Sequence, residues 1–111
     1  MEFKELVKKA KRVRGEYLKI EMGKFGRERT KEQVFQGFIG DVGDLAKLLI
    51  AADGVSEKHA DLGQDEIKEK IAHELSDCLY CVIVLADKYD INLEKSFVET
   101  MEQLEKKISK L

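Results

Sequence analysis

The sequence predicts an all-α protein, a four-helix bundle-like subunit forming one domain over residues 1–111. No proline occurs in the chain, apolar side chains recur every three or four positions, and four such amphipathic stretches are separated by glycine-rich or charged connections. A length of 111 residues suits one core and not two.

The first helix is expected from about Glu2 to Met22, with Phe3, Leu6, Val7, Ala10, Val13, Tyr17 and Leu18 on its buried face, and a stop near Gly23. The stretch GKFGRER, with two glycines and clustered charge, reads as a connection. Thr30 followed by Gln33 is a capping-box signal, and it opens a second helix from about Lys31 to Ala52 that Gly54 terminates. Residues 54–64, GVSEKHADLGQ, form a polar loop. A third helix follows from about Asp65 to Tyr89, and Asn92 is placed to cap a fourth that runs to the C-terminus. The third helix is apolar nearly all round from Cys78 to Ala86. Such a segment is buried on two sides, either centrally within the subunit or against a partner. For so short a chain the expectation is a homo-oligomer, a homodimer or higher, with the third helix near the interface.

Charged residues make up 38% of the chain, above the usual level of about 25%, yet the formal net charge is only -2. A balanced surface gives no signal for nucleic acid or membrane as a partner. The cluster Lys8, Lys9, Lys11, Arg12 and Arg14 reads as the solvated face of the first helix, since Glu2, Glu5 and Glu16 flank it. The longest apolar run, Cys78 to Ala86, falls far short of the roughly 20 residues that span a bilayer. The N-terminal stretch alternates charged and apolar residues without the apolar run of a secretory signal, so the expected location is the cytoplasm. Cys78 and Cys81 match C-x-x-C but lie mid-helix, where a redox thiolate gains no support, and read as core residues. His59 and His73 have no fixed role at this level.

The chemistry lies in acids that interrupt apolar stripes. Asp41 projects among Val34, Phe38, Leu45 and Leu48, and Glu74 falls in the row Ile67, Ile71, Glu74, Cys78, Cys81, Leu85. Each has a second acid three residues on, Asp44 and Asp77. Carboxylates cost several kcal/mol to bury unless paired or neutralised, and neither stripe carries a Lys or Arg beside them. Side by side, two such helices place Asp41, Asp44, Glu74 and Asp77 around one cavity. All-oxygen ligation selects hard cations, Mg²⁺ or Mn²⁺, with a phosphate substrate to complete the shell. A di-iron bundle needs Glu-x-x-His pairs, which are absent from the sequence. The competing reading is acids at the edges of their stripes, solvated or paired with lysines of other helices.

The segments GDVGDLAKLL and ELSDCLYCVIVLADKYDINLEKSF resemble the MazG-like nucleotide pyrophosphohydrolases of the all-α NTP pyrophosphatase superfamily. The resemblance covers roughly residues 24–108. The family carries E-E-x-x-E on one helix and E-x-x-D on the next. Glu74 and Asp77 match the second motif, while Gly40, Asp41 and Asp44 stand at the three positions of the first. The resemblance implies Mg²⁺-dependent hydrolysis of a nucleoside triphosphate to the monophosphate and pyrophosphate, with the four acids as metal ligands and catalytic residues. Lys24, Arg27 and Arg29, just before the second helix, are candidates to reach the triphosphate, with a solvated loop as the competing reading. The family's last helix carries a Lys and an Asn where this chain has Thr100 and Leu104, and Lys106 is a candidate replacement for the missing charge. The alternative is a non-catalytic helical oligomerisation or regulatory module that retains a metal or nucleotide site.

Overall fold

Helix boundaries follow the capping chemistry. Thr30 Oγ1 accepts from the Gln33 amide at 3.2 Å, and the Gln33 side chain accepts from the Thr30 amide at 2.9 Å. This reciprocal pair satisfies donors that a helix start leaves without partners. Asn92 Oδ1 likewise accepts from the Lys95 amide at 3.1 Å. The computed structural model describes residues 1–54, 59 and 61–111. Among these there are four α-helices and no strand: α1 (Phe3–Phe25), α2 (Lys31–Ala52), α3 (Gln64–Lys88) and α4 (Leu93–Ser109). Part of the predicted polar loop, residues 55–58 and 60, lies outside the described residues. No described helix is long and apolar enough to cross a membrane.

One boundary differs from expectation. α1 passes through Gly23 and ends at Gly26, whose left-handed backbone (φ 72°) lets its amide return to the Met22 carbonyl at 3.0 Å. α3 also ends on a left-handed residue, here without a glycine and with the two bonds of a Schellman motif. Asp90 takes φ 55° while its amide reaches the Asp87 carbonyl and the Ile91 amide reaches the Ala86 carbonyl at 2.8 Å.

The chain divides into two compact units, Met1–Glu28 with Ile83–Leu111, and Arg29–Val82. α3 contributes its first part to one and its last turns to the other, and the all-round apolar run Cys78 to Ala86 straddles that division.

In the unit built from α1, the end of α3 and α4, Ile83 and Val84 are buried. Phe3, Val7, Ala10 and Leu18 are half-buried as predicted, whereas Leu6, Val13 and Tyr17 are exposed. The buried line of α1 instead continues through charged residues. Glu21 is only 6% exposed and takes a two-pronged ion pair from Arg14, Nη1 to Oε2 at 2.5 Å and Nη2 to Oε1 at 2.9 Å. Residues seven apart fall on nearly the same helix face, so Arg14 turns inward while the rest of the basic cluster stays exposed. Lys11–Asp87 at 3.0 Å and Lys88–Glu28 at 3.7 Å tie α1 and its exit to the end of α3.

In the Arg29–Val82 unit, Val34, Leu48 and Ala51 of α2 and Ile67 of α3 are buried. Asp41 meets Cys81 and Asp44 meets Glu74, so the numbering rises on one helix as it falls on the other and the pair is antiparallel. Away from this seam, Phe35, Ile39, Val42 and Leu49 of α2 and Leu75 and Leu79 of α3 are exposed.

Candidate functional site

Each helix of the antiparallel pair turns its two acids, three residues apart, to one side. Ligand atoms of Asp41, Asp44 and Glu74 lie within 4.8 Å of one another, and those of His73, Glu74 and Asp77 do the same. The structure therefore brings together the four predicted acids, with Glu74 common to both groups.

Asp41, Glu74 and Asp77 are half-buried and Asp44 is exposed. Glu74 Oε2 is fully buried and has no hydrogen-bond partner among the described residues. Burial, followed by the charges of Asp77, Asp41 and Asp44, pushes its carboxyl above the ordinary value of 4.5, with His73 acting in the opposite direction. This oxygen is the kind of buried acceptor that folded proteins normally satisfy. A cation between the acids would satisfy it and offset their mutual repulsion, and the oxygen donors suit a hard divalent ion.

The cysteines border this cluster. Cys81 Sγ donates to Asp41 Oδ2 at 3.6 Å. Burial and the Asp41 carboxylate push the Cys81 thiol up to about 11, and burial, Asp41, Glu74 and Asp77 push Cys78 up as well. Thiols held protonated are poor nucleophiles and poor soft-metal ligands. Their half-buried position fits the predicted apolar seam, but that seam adjoins the acids.

Asp44, Glu74 and His73 open onto a cavity of about 350 Å³ whose walls also carry Lys47, Lys70 and His59. The size lies within the usual range for small-ligand pockets, about 300–1,000 Å³. Sequence reasoning missed these lysines, although the signal was present: Lys47 is three residues after Asp44 and Lys70 four before Glu74, both one turn from an acid. It gave His73 no role, whereas its Nε2 is 3.2 Å from Asp77 Oδ2.

The cations singled out from sequence are divided between the two units. Lys24 closes the last turn of α1, Arg27 follows it and Lys106 sits in the last turn of α4, all in the first unit. Arg29 belongs to the second, where its Nη1 would lie 3.7 Å from a Cβ on Gly37, one turn before Asp41. Thr100 donates its hydroxyl to the Ser96 carbonyl at 2.8 Å, within α4. The chain matches no protein-family profile, no curated protein and no solved structure.

Proposed function

We propose that this chain is a MazG-like nucleotide pyrophosphohydrolase, an all-α bundle-type subunit that uses Mg²⁺ or Mn²⁺ to convert a (d)NTP and water to the (d)NMP and pyrophosphate. One observation carries the reading: the buried Oε2 of Glu74, without a hydrogen-bond partner among the described residues, at the centre of a four-acid cluster. An apolar core position filled by an acid, surrounded by three more and facing a cavity, makes physical sense when positive charge arrives with a ligand.

When bound, a divalent ion supplies charge to the triphosphate and activates water for attack on the α-phosphorus. Asp41, Asp44, Glu74 and Asp77 would hold it. A carboxylate of this set accepts the proton of the attacking water. Lys47 and Lys70, on the cavity wall, offer cations to phosphate oxygens, and Arg29, just before α2, is the sequence-derived candidate that shares the unit of the acids. The row Phe35, Ile39, Val42, Leu49 on α2, spaced four, three and seven, with Leu75 and Leu79 on α3, supports assembly as a homo-oligomer, most simply a dimer.

The test is incubation with a panel of NTPs and dNTPs plus Mg²⁺ or Mn²⁺, with products separated by ion exchange. The expected products are nucleoside monophosphate and pyrophosphate in equal amounts, without single phosphate release. No pyrophosphate from any nucleotide would move the reading to a non-catalytic module that keeps the cation site. Thr100, a neutral residue whose hydroxyl bonds within α4 where the family this chain resembles carries a Lys, favours this second reading.

A further inference from the structure

We infer that the acidic centre offers two inequivalent cation positions, and that His73, with Glu74 and Asp77, forms one suited to a first-row transition-metal ion. The inference rests on the proposed reading of the acids as a divalent-cation centre and adds a nitrogen ligand to it.

The donors fall into two groups, each within 4.8 Å, and they differ chemically. Asp41, Asp44 and Glu74 present oxygen only. His73, Glu74 and Asp77 present an imidazole nitrogen and two carboxylates. Residues at i and i+4 share a helix face, so His73 and Asp77 bracket one point beside α3, with Glu74 on the neighbouring row. His73 Nε2 and Asp77 Oδ2 are 3.2 Å apart. Two donors bound at about 2.1 Å and near right angles around one ion stand about 3 Å apart, so the pair is already close to that spacing. The His73 side chain is 73% exposed, and its ring can turn toward an ion without disturbing packed neighbours.

Glu74 links the groups. Its carboxylate has two oxygens, and the buried Oε2 has no hydrogen-bond partner among the described residues, so it has capacity for a second cation. Mg²⁺ favours oxygen and retained water, whereas imidazole raises affinity for Mn²⁺, Co²⁺ and Zn²⁺ in increasing measure. The oxygen-only group is thus the Mg²⁺ position and the histidine group the transition-metal position. Without a cation role, His73–Asp77 is a solvent-facing helix pair contributing a few tenths of a kcal/mol.

The experiment uses the full chain, with His73→Gln and Glu74→Gln variants whose folding is first verified by melting in chelator. Mg²⁺ and Co²⁺ are titrated calorimetrically, and Zn²⁺ serves as a diamagnetic probe of the imidazole nitrogens by ¹⁵N NMR, where only two histidines need assignment. Zn²⁺ is expected to shift a His73 ring nitrogen. Co²⁺ should bind His73→Gln at least about tenfold more weakly than wild type, with Mg²⁺ affinity preserved. An unshifted His73 ring at Zn²⁺ saturation, or equal Co²⁺ affinity in His73→Gln, overturns the inference; if Glu74→Gln has then lost Mg²⁺ binding, the oxygen centre stands without it. Wild-type affinity for both ions in Glu74→Gln removes the centre itself and this inference with it.

Discussion

Glu74→Gln is expected to raise the stability of the metal-free protein and to weaken its response to cations. The substitution keeps the shape of the side chain and removes its charge. Ligand oxygens of Asp41, Asp44 and Asp77 each lie within 4.8 Å of one on Glu74. At that separation two unit charges repel by about 3.5 kcal/mol at an effective dielectric constant of about 20, and by about 0.9 kcal/mol in bulk water. Asp44 is exposed and the Asp77 side chain is 42% exposed, so both contribute near the lower figure, and the half-buried Asp41 somewhat more. An amide in this position leaves part of its hydrogen-bonding capacity unmet, which offsets part of the gain. The net expectation is about 2 kcal/mol in favour of the variant at pH 7, roughly 8 °C in Tm.

The pH dependence has a definite sign. The native protein holds the Glu74 proton to higher pH than the unfolded chain, whose ordinary value is 4.5. Between those two values the native state binds more protons, so this group makes stability fall as pH rises. The variant lacks that fall. The gap between the proteins should therefore close in acid below about 4.5 and open as pH rises through the raised native value. Mg²⁺ at 100 times its Kd stabilises a binding protein by about 2.7 kcal/mol, enough to bring the wild type level with or above the variant. Scanning calorimetry from pH 4 to 8, in chelator and in Mg²⁺, measures both effects. A variant less stable than wild type in chelator at pH 7, or an equal Mg²⁺ response in the two proteins, would falsify the argument.

Glu21→Ala should destabilise the protein by about 3 kcal/mol, the low end for breaking a buried pair, because Arg14 keeps some access to solvent; urea unfolding measures it, and a loss under 1 kcal/mol would show the pair to be dispensable. Asp90→Gly should add about 1 kcal/mol by relieving a left-handed backbone at the end of α3, and an unchanged Tm would contradict that. Ile39→Glu and Leu79→Glu should each convert an oligomer to monomer in light scattering, since both side chains lie on the exposed apolar rows; a wild type that is monomeric at every micromolar concentration removes the interface.

Local signals were legible in the sequence because they act over three or four residues. Thr30 with Gln33 and Asn92 mark their helices by bonds to their own backbone neighbours, and the structure has them there. Gly23 and Gly26 were harder to separate, since either can adopt the left-handed conformation and only the backbone shows which does. The acids were legible by their spacing within apolar stripes. What joins them was not: the nearness of Cys81 to Asp41 depends on the register between two helices, which packing sets over a separation of 40 residues. Glu21 was overlooked for a related reason. Its burial depends on Arg14 two turns earlier, and a search for apolar periodicity passes over a buried position filled by a charged pair.

Gly40 and Gly43 immediately precede Asp41 and Asp44 in the middle of α2, and a Cβ at either would meet nothing within 4 Å among the described residues. Each glycine in a helix interior weakens it by about 1 kcal/mol relative to alanine. The buried residues of α2, Val34, Leu48 and Ala51, lie toward its two ends, and its central turn, which holds Gly40 and Gly43, is expected to open more readily than the interior turns beside it. Amide exchange in metal-free protein should be faster there than in those turns. Ligation of Asp41 and Asp44 would then act as a splint across that turn, so that cation binding is read along the backbone as slowed exchange from residue 40 to residue 44.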